Sequence, residues 1–404
     1  MFSYPAPKKR VISRVTDLER RYVMQCLDYG FETSKGSEFC TRLERAFADY
    51  HGMEFAISFM NGTCTMHAAL EAAGVGPGDE VIVPPLTMSS TTFVVLQAHA
   101  VPVFADVDPD TFQIDPMSIR ERVTERTKAI IPVALYGLSP DMDAIMQIAK
   151  EHDLIVIEDD AEAITNTYKG RKIGTVGHVS SFSFQSSKHL TAGEGGMILT
   201  NDEALANSIR RFNSLGYAGV GSRKGKITKT DIQDPAYSRH VSTGFNYRMP
   251  ELCAAVALAQ LERIDELVQR RIDVGNLFNE VTAQYEWFVS QKTPSNCTNS
   301  YWTFVAKLEH PDVSWHEFRD AFLANGGDGV YAAWKLSYME PMFANGCPLT
   351  HPAYKGIYQK FGPGLCPNAE MVQPKLFQFK TNYWNWDDAE EQAQILRKTL
   401  SQFS

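Results

Sequence analysis

Cysteine is sparse and unpatterned in this chain. Its 404 residues include seven: Cys26, Cys40, Cys64, Cys253, Cys297, Cys347 and Cys366. The number is odd and no two stand in a CxxC spacing, which speaks against a disulfide framework and against a thiolate zinc site. The ten histidines show no HxxxH or comparable spacing, so no metal is expected. Positive charge is in deficit as well: 39 Lys and Arg against 48 Asp and Glu leave a net charge of −9. General nucleic-acid binding needs a net basic footprint. The one basic cluster, Arg223, Lys224, Lys226 and Lys229, is too short to reverse the balance. Long apolar runs are missing, since a stretch such as Ala129 to Leu135 falls far short of the ~20 residues that cross a bilayer. The opening MFSYPAPKKRVISRV has no signal-peptide apolar core. The expectation is a cytoplasmic protein without a membrane partner, its scattered thiols suited to a reducing compartment.

What is present reads as a layered α/β protein. Hydrophobic residues make up 44% and charged residues 22%, the balance of an ordinary globular chain. At ~150 residues per domain the length suggests two or three domains. Short apolar β-rich runs fall at 55–59, 80–84, 101–105, 129–134, 154–158, 180–184 and 197–200. Helical patterns separate several of them, at 63–73, 89–98 and 142–151. The strands are continuously apolar rather than alternating, which predicts a mostly parallel sheet covered on both faces. After Met249 the pattern changes to a long helix over 251–273 and then a mixed α+β segment rich in tryptophan. A domain boundary is expected there: an N-terminal arm and large domain over 1–259, then a linking helix and a smaller C-terminal domain over 260–404.

Three short features carry chemistry. Lys188 lies in SFSFQSSKHLTAGEGG, after a β-rich run and before three glycines. Glycine lets backbone pass close to a ligand, and a partly desolvated lysine attacks carbonyls to form Schiff bases. A solvated lysine on a hairpin accounts for the same window equally well. Asp159, in IVIEDDAEA, closes an apolar run and so belongs at the carboxyl end of a central strand, where ligands of such sheets sit. A carboxylate there pairs with a protonated ring nitrogen; an acidic loop after a strand is the plainer reading. The doublet Asp159-Asp160 with Glu162 is less ordinary, because like charges raise one another's pKa unless a cation is near. Finally, Asn61-Gly62-Thr63 stands between a strand and a helix, where backbone N–H groups and a hydroxyl make an anion site, or merely a turn and N-cap.

Phosphate cup, carboxylate, then lysine is the order found in fold-type I pyridoxal-phosphate enzymes. The chain resembles the DegT/DnrJ/EryC1/StrS sugar aminotransferases, which fold like aspartate aminotransferase. The resemblance runs from the helix around Leu18 to Gly30 through FCTRLERAFADYHG, GPGDEVIVPP, the acidic pattern at Glu158 to Ala163, the lysine loop with its GEGG, and GFNYRMPE at Gly244 to Glu251, to CPNAE at Cys366 to Glu370. It implies a large mostly parallel sheet domain that binds the cofactor and a smaller α+β domain.

Carried over residue by residue, the resemblance implies that Lys188 holds pyridoxal 5'-phosphate as an internal aldimine and then shuttles the proton. Asp159 would bind the pyridine nitrogen. Gly62, Thr63 and Ser183 would hold the phosphate. Glu162 stands where the family usually has Gln or His beside the phenolic oxygen. Met88, in Thr87-Met88, replaces the aromatic residue that commonly covers the ring, a role a thioether can fill. Asn246 would reach the phosphate of a neighbouring subunit, making a homodimer with shared sites. The implied reaction moves an amino group from glutamate or glutamine to a keto-sugar, nucleotide-linked or not, or to a keto-cyclitol. A dehydratase using the same cofactor and a non-catalytic regulator are the competing expectations. Relatives with dehydratase activity carry His in place of the lysine.

Overall fold

The structure is a computed structural model and describes residues 9–32, 35–225, 227–344 and 361–404. Cys347 and Lys226, both singled out above, lie outside the described residues, as does the side chain of Lys229. Seven strands form the main sheet: β1 (Phe55–Phe59), β2 (Glu80–Val83), β3 (Val101–Phe104), β4 (Thr127–Ile130), β5 (Ile155–Asp159), β6 (Val179–Ser183) and β7 (Gly196–Thr200). Their order is β1-β7-β6-β5-β4-β2-β3. Only β7 runs against the others, pairing antiparallel with both β1 and β6. Each expected strand is present.

The continuous apolar runs are explained by burial on both faces. Ile57, Val81, Val83, Ala129, Ile157 and Ile198 enter one core. Their neighbours in sequence enter the opposite side: Ala56, Met197 and Leu199 in one cluster, Ile82, Ile130 and Val156 in another. Alternate side chains point to opposite faces of a strand, so a sheet buried on both faces needs apolar residues at every position.

The C-terminal part has a smaller antiparallel sheet of β8 (Phe288–Ser290), β9 (Thr303–Leu308), β10 (Val330–Ala332) and β11 (Leu376–Lys380), in the order β8-β9-β11-β10. Its own core gathers Phe278, Phe304, Phe377 and Trp386. The helix expected over 251–273 is two helices, Glu251–Leu261 and Ile264–Thr282. At the break the Arg263 guanidinium reaches back to the Ser13 carbonyl (2.6 Å), to Glu19 (3.1 Å) and to Glu266 (3.2 Å). The second helix begins on the large core with Ile264 and Val268 and continues on the small one from Val274. We propose the domain boundary at the start of this helix, near residue 260.

The N-terminal arm spans both parts. The Ile12 N–H donates to the Trp384 carbonyl (2.8 Å) and the Trp386 N–H to the Arg10 carbonyl (2.7 Å). Helix Asp17–Asp28 follows, closed by a Thr16/Glu19 capping box.

Candidate active site

A cavity of about 380 Å³ opens at the carboxyl edge of the main sheet, within the ~300–1,000 Å³ typical of small-molecule sites. Of the eight residues expected at the site, seven line it: Gly62, Thr63, Met88, Asp159, Glu162, Ser183 and Lys188. Asn246 does not; it is exposed, and its backbone bridges to Ser214.

The anion end is built by close backbone approach. Asn61 caps helix Gly62–Ala72, its Oδ1 accepting from the Cys64 N–H at 2.9 Å. The helix N-terminus therefore opens into the cavity, a favourable place for negative charge. A Cβ on Gly62 would stand 3.0 Å from the Ser183 Cβ, and one on Gly196 would stand 2.7 Å from the Asn61 carbonyl. Glycine at both positions lets the start of the helix, the end of β6 and the start of β7 converge. Gly62→Ala is predicted to push the helix start off Ser183 and weaken cofactor binding about tenfold, at the low end of the ~1–3 kcal/mol cost of overpacking. Titration of the cofactor-free chain, followed by absorbance, measures it.

Asp159 occupies the last position of β5 and is buried. Its Oδ2 accepts from the Thr91 hydroxyl (2.8 Å) and its Oδ1 from the Ala161 N–H (3.2 Å). Burial raises its pKa above the ordinary carboxylate value, against the pull of these donors and of Lys188. A cation in the cavity would restore the charged form. The acidic doublet is resolved by strand geometry. Asp160 lines no part of this cavity. Its Oδ2 lies 3.0 Å from where a Cβ on Gly174 would be. Its carboxyl is held far above its ordinary pKa by burial and by Glu158 and Asp159. Within the doublet Asp159 thus raises the pKa of Asp160, as like charges do.

Lys188 projects from the loop after β6, its Nζ 3.6 Å from Glu162 Oε1 and 4.4 Å from the Trp302 ring centroid. Glu162 Oε2 accepts from the Tyr136 N–H at 3.0 Å. Burial raises the Glu162 pKa, partly offset by Lys188 and by that N–H. Glu162→Gln keeps an acceptor for Tyr136 and removes the charge facing Lys188. The predicted result is unchanged cofactor stoichiometry and a kcat about tenfold lower, roughly 1.4 kcal/mol of barrier. Steady-state rates on the purified variant check it.

Other wall residues escaped sequence reasoning. Thr91 touches Asp159 from the first turn of helix Ser90–Gln97. Trp302 and Trp334 stack with centroids 5.8 Å apart at 28° and close the cavity from the smaller sheet domain. Met66 is in the core and also at the wall. His67 is buried, its Nδ1 3.2 Å from the Tyr247 hydroxyl. His189 is also buried and outside the cavity, with Nε2 2.9 Å from the Ser300 carbonyl. In the basic loop, Arg223 is exposed and lies near Glu54 (3.5 Å) and Glu203 (3.8 Å). Among the described residues no helix is long and apolar enough to cross a membrane.

Comparison with known proteins places the chain in a family. The profile of the DegT/DnrJ/EryC1/StrS aminotransferase family matches residues 14–355. The GDP-perosamine synthase of Caulobacter vibrioides is 43% identical over 67% of this chain and 69% of its own length. The L-glutamine:2-deoxy-scyllo-inosose aminotransferase of Streptomyces kanamyceticus is 33% identical over 83% of this chain and 76% of its own length. The crystal structure of an aminotransferase from Psychrobacter cryohalolentis superposes with a TM-score of 0.85 at 28% identity, over 98% of this chain and all of that one. The chain belongs to the DegT/DnrJ/EryC1/StrS family and is a pyridoxal phosphate-dependent aminotransferase.

Proposed function

We propose that this enzyme moves an amino group from glutamate or glutamine to the carbonyl of a keto-sugar, nucleotide-linked or not, or of a keto-cyclitol. The observation that carries this reading is the gathering of Lys188, Asp159 and the helix N-terminus around one cavity. Names of relatives support the acceptor class: one is a GDP-perosamine synthase, another an aminotransferase of a scyllo-inosose.

The residues fit pyridoxal phosphate at its polar ends. Gly62, Thr63 and Ser183 would take the phosphate, on helix-end amides and hydroxyls. Asp159 has one donor on each oxygen and borders the cavity, so it would accept the pyridine N–H. Met88, half-exposed at the wall, would cover one ring face. Bound there, the cofactor supplies the electron sink that stabilises a carbanion beside the transferred nitrogen.

The chain's own part is proton traffic and positioning. Asp159 keeps a proton on the ring nitrogen by pairing with its positive charge. Lys188 Nζ takes the proton from the donor's α-carbon and returns it on the acceptor side, general acid–base help worth ~10²–10⁴-fold. Glu162 and the Trp302 ring hold that amine over the reacting atoms. Asn246, which is exposed and does not line this cavity, would act on the site of a second copy, so the working unit would be a homodimer in the cytoplasm.

The test is incubation with glutamate or glutamine and a panel of keto-sugars, nucleotide-linked keto-sugars and keto-cyclitols. Formation of the oxoacid together with an amino product supports the proposal. Loss of a hydroxyl without oxoacid would instead identify a dehydratase. A chain that takes up no cofactor would be a regulator.

A further inference from the structure

Two guanidinium groups lie beneath the lysine loop with no carboxylate of the described residues in ion-pair range. Arg271, from helix Ile264–Thr282, is 1% exposed. Its Nη2 donates to the carbonyls of Ser187 (2.8 Å) and Lys188 (3.2 Å), and its Nη1 to that of Trp302 (2.8 Å). Arg14, from the N-terminal arm, donates through Nη2 to the carbonyls of Ser186 (2.5 Å) and Lys188 (3.1 Å). The Trp302 indole N–H adds a bond to Ser187 at 3.2 Å. Three successive carbonyls of the loop are thus held by groups from outside it.

This is an expensive way to anchor a loop. A buried cation normally comes with a counter-charge. Here burial and the neighbouring Arg14 pull the Arg271 pKa down to about 9. Among the described residues the compensation besides the carbonyls is aromatic: both guanidinium carbons lie over the Trp384 ring, at 5.7 Å and 6.0 Å. Guanidinium is suited to the task because its rigid fork spans several acceptors at once. Within the loop, the Ser187 and Lys188 N–H groups are already spent on Gln185, at 2.7 Å and 3.0 Å. The carbonyls turned outward are the ones that the two arginines take.

We propose that Arg271, assisted by Arg14, is a positioning residue for transamination: it fixes the backbone of residues 186–188 so that Lys188 Nζ stands between Glu162 and the Trp302 ring. The inference rests on the reading of Lys188 as the catalytic lysine. It also ties the lysine's position to the docking of the arm and the C-terminal domain, since neither guanidinium belongs to the main sheet.

The test uses Arg271→Met, Arg271→Lys and Arg14→Met. Hydrogen exchange is read by mass spectrometry on the cofactor-free chain, and steady-state rates on the loaded enzyme. In Arg271→Met, amides of residues 185–192 are expected to exchange about tenfold faster or more, while those of β7 are unchanged. The kcat is expected to fall about 10²-fold, the scale of a misplaced reacting group, with the donor KM within about twofold of the parent. Arg271→Lys keeps charge but loses the fork, and should recover about tenfold of that loss. Arg14→Met should move both readouts the same way by less, and it carries the test if Arg271→Met does not fold. Parental loop exchange in either folded methionine variant would overturn the proposal, as would a fall in kcat without faster loop exchange. A parent enzyme that releases no oxoacid from any donor would sink the aminotransferase reading instead, and the exchange result would stand apart from it.

Discussion

Lys188→Ala is expected to leave a folded chain that still takes up pyridoxal phosphate and has lost at least about 10⁴-fold in kcat, the upper range for a positioned general acid–base group. The loss is expected to exceed that figure, because the same amine also serves as the nucleophile that holds the cofactor covalently. Folding should survive for structural reasons. The side chain is 14% exposed, projects into a cavity rather than a packed core, and contacts Glu162 and Trp302. The loop itself is held through backbone carbonyls that the substitution leaves in place. Truncation does leave Glu162 buried without its cation, so some thermal destabilisation is expected, of order 1–3 kcal/mol. Lys188→Arg is the control: it keeps a cation beside Glu162 and over the Trp302 ring while removing the nucleophile, and should be as inactive. Reduction with borohydride followed by mass spectrometry should find the cofactor fixed on the peptide containing residue 188 in the parent and on no peptide in either variant. An alanine variant with more than about a tenth of parental kcat would remove Lys188 from the chemistry.

Asp159→Asn should be the second most damaging substitution, and its signature differs. The carboxylate is buried at the end of β5 with one donor on each oxygen, and burial works against its charge. Asparagine relieves the buried charge in the cofactor-free chain. It also turns an NH₂ toward either Thr91 or Ala161, both of which donate. These terms oppose each other, so the Tm of the cofactor-free variant should differ little from the parent. In the loaded enzyme the charge partner of the ring nitrogen is gone. Cofactor affinity should fall by about 10- to 100-fold, as expected for losing a hydrogen bond to a charged group worth ~1.5–3 kcal/mol. The kcat at saturating cofactor should fall by about 10²–10³-fold, the scale on which a preorganised charge aimed at the reacting system acts. The rise in Tm on adding cofactor should shrink accordingly. Calorimetry with and without cofactor, beside steady-state rates, measures all three. A full cofactor-induced rise with unchanged kcat would place the ring nitrogen elsewhere.

The features legible in the sequence share a physical origin. A sheet buried on both faces writes itself as continuous apolar runs, so the strands from Phe55 to Thr200 could be read directly. Asn61-Gly62-Thr63, Asp159 and Lys188 could be read because each sits where a strand ends, and ligands in such sheets bind beyond those ends. What escaped depends on contacts between distant segments. Trp302 and Trp334 come to the cavity from the second sheet, more than a hundred residues after Lys188, and nothing local marks them. Thr91 reaches Asp159 from the first turn of a helix that begins at Ser90, and nothing in the local sequence marks that contact. At the interruption between the two helices, Arg263 bonds to the N-terminal arm, some 240 residues away in sequence, and no local pattern marks that partner. Of the acidic doublet, Asp159, at the end of its apolar run, is the one that lines the cavity, and Asp160 is not.

The most direct test of the account is a half-reaction. The purified, cofactor-loaded enzyme is mixed with glutamate or glutamine in the absence of any acceptor, and oxoacid is counted per chain. The cavity built around Lys188 and Asp159 predicts a single stoichiometric burst of oxoacid with bleaching of the bound cofactor's visible absorbance, and no burst from Lys188→Ala. Absence of oxoacid from the parent with either donor or any other amino acid, or an undiminished burst from Lys188→Ala, would contradict it.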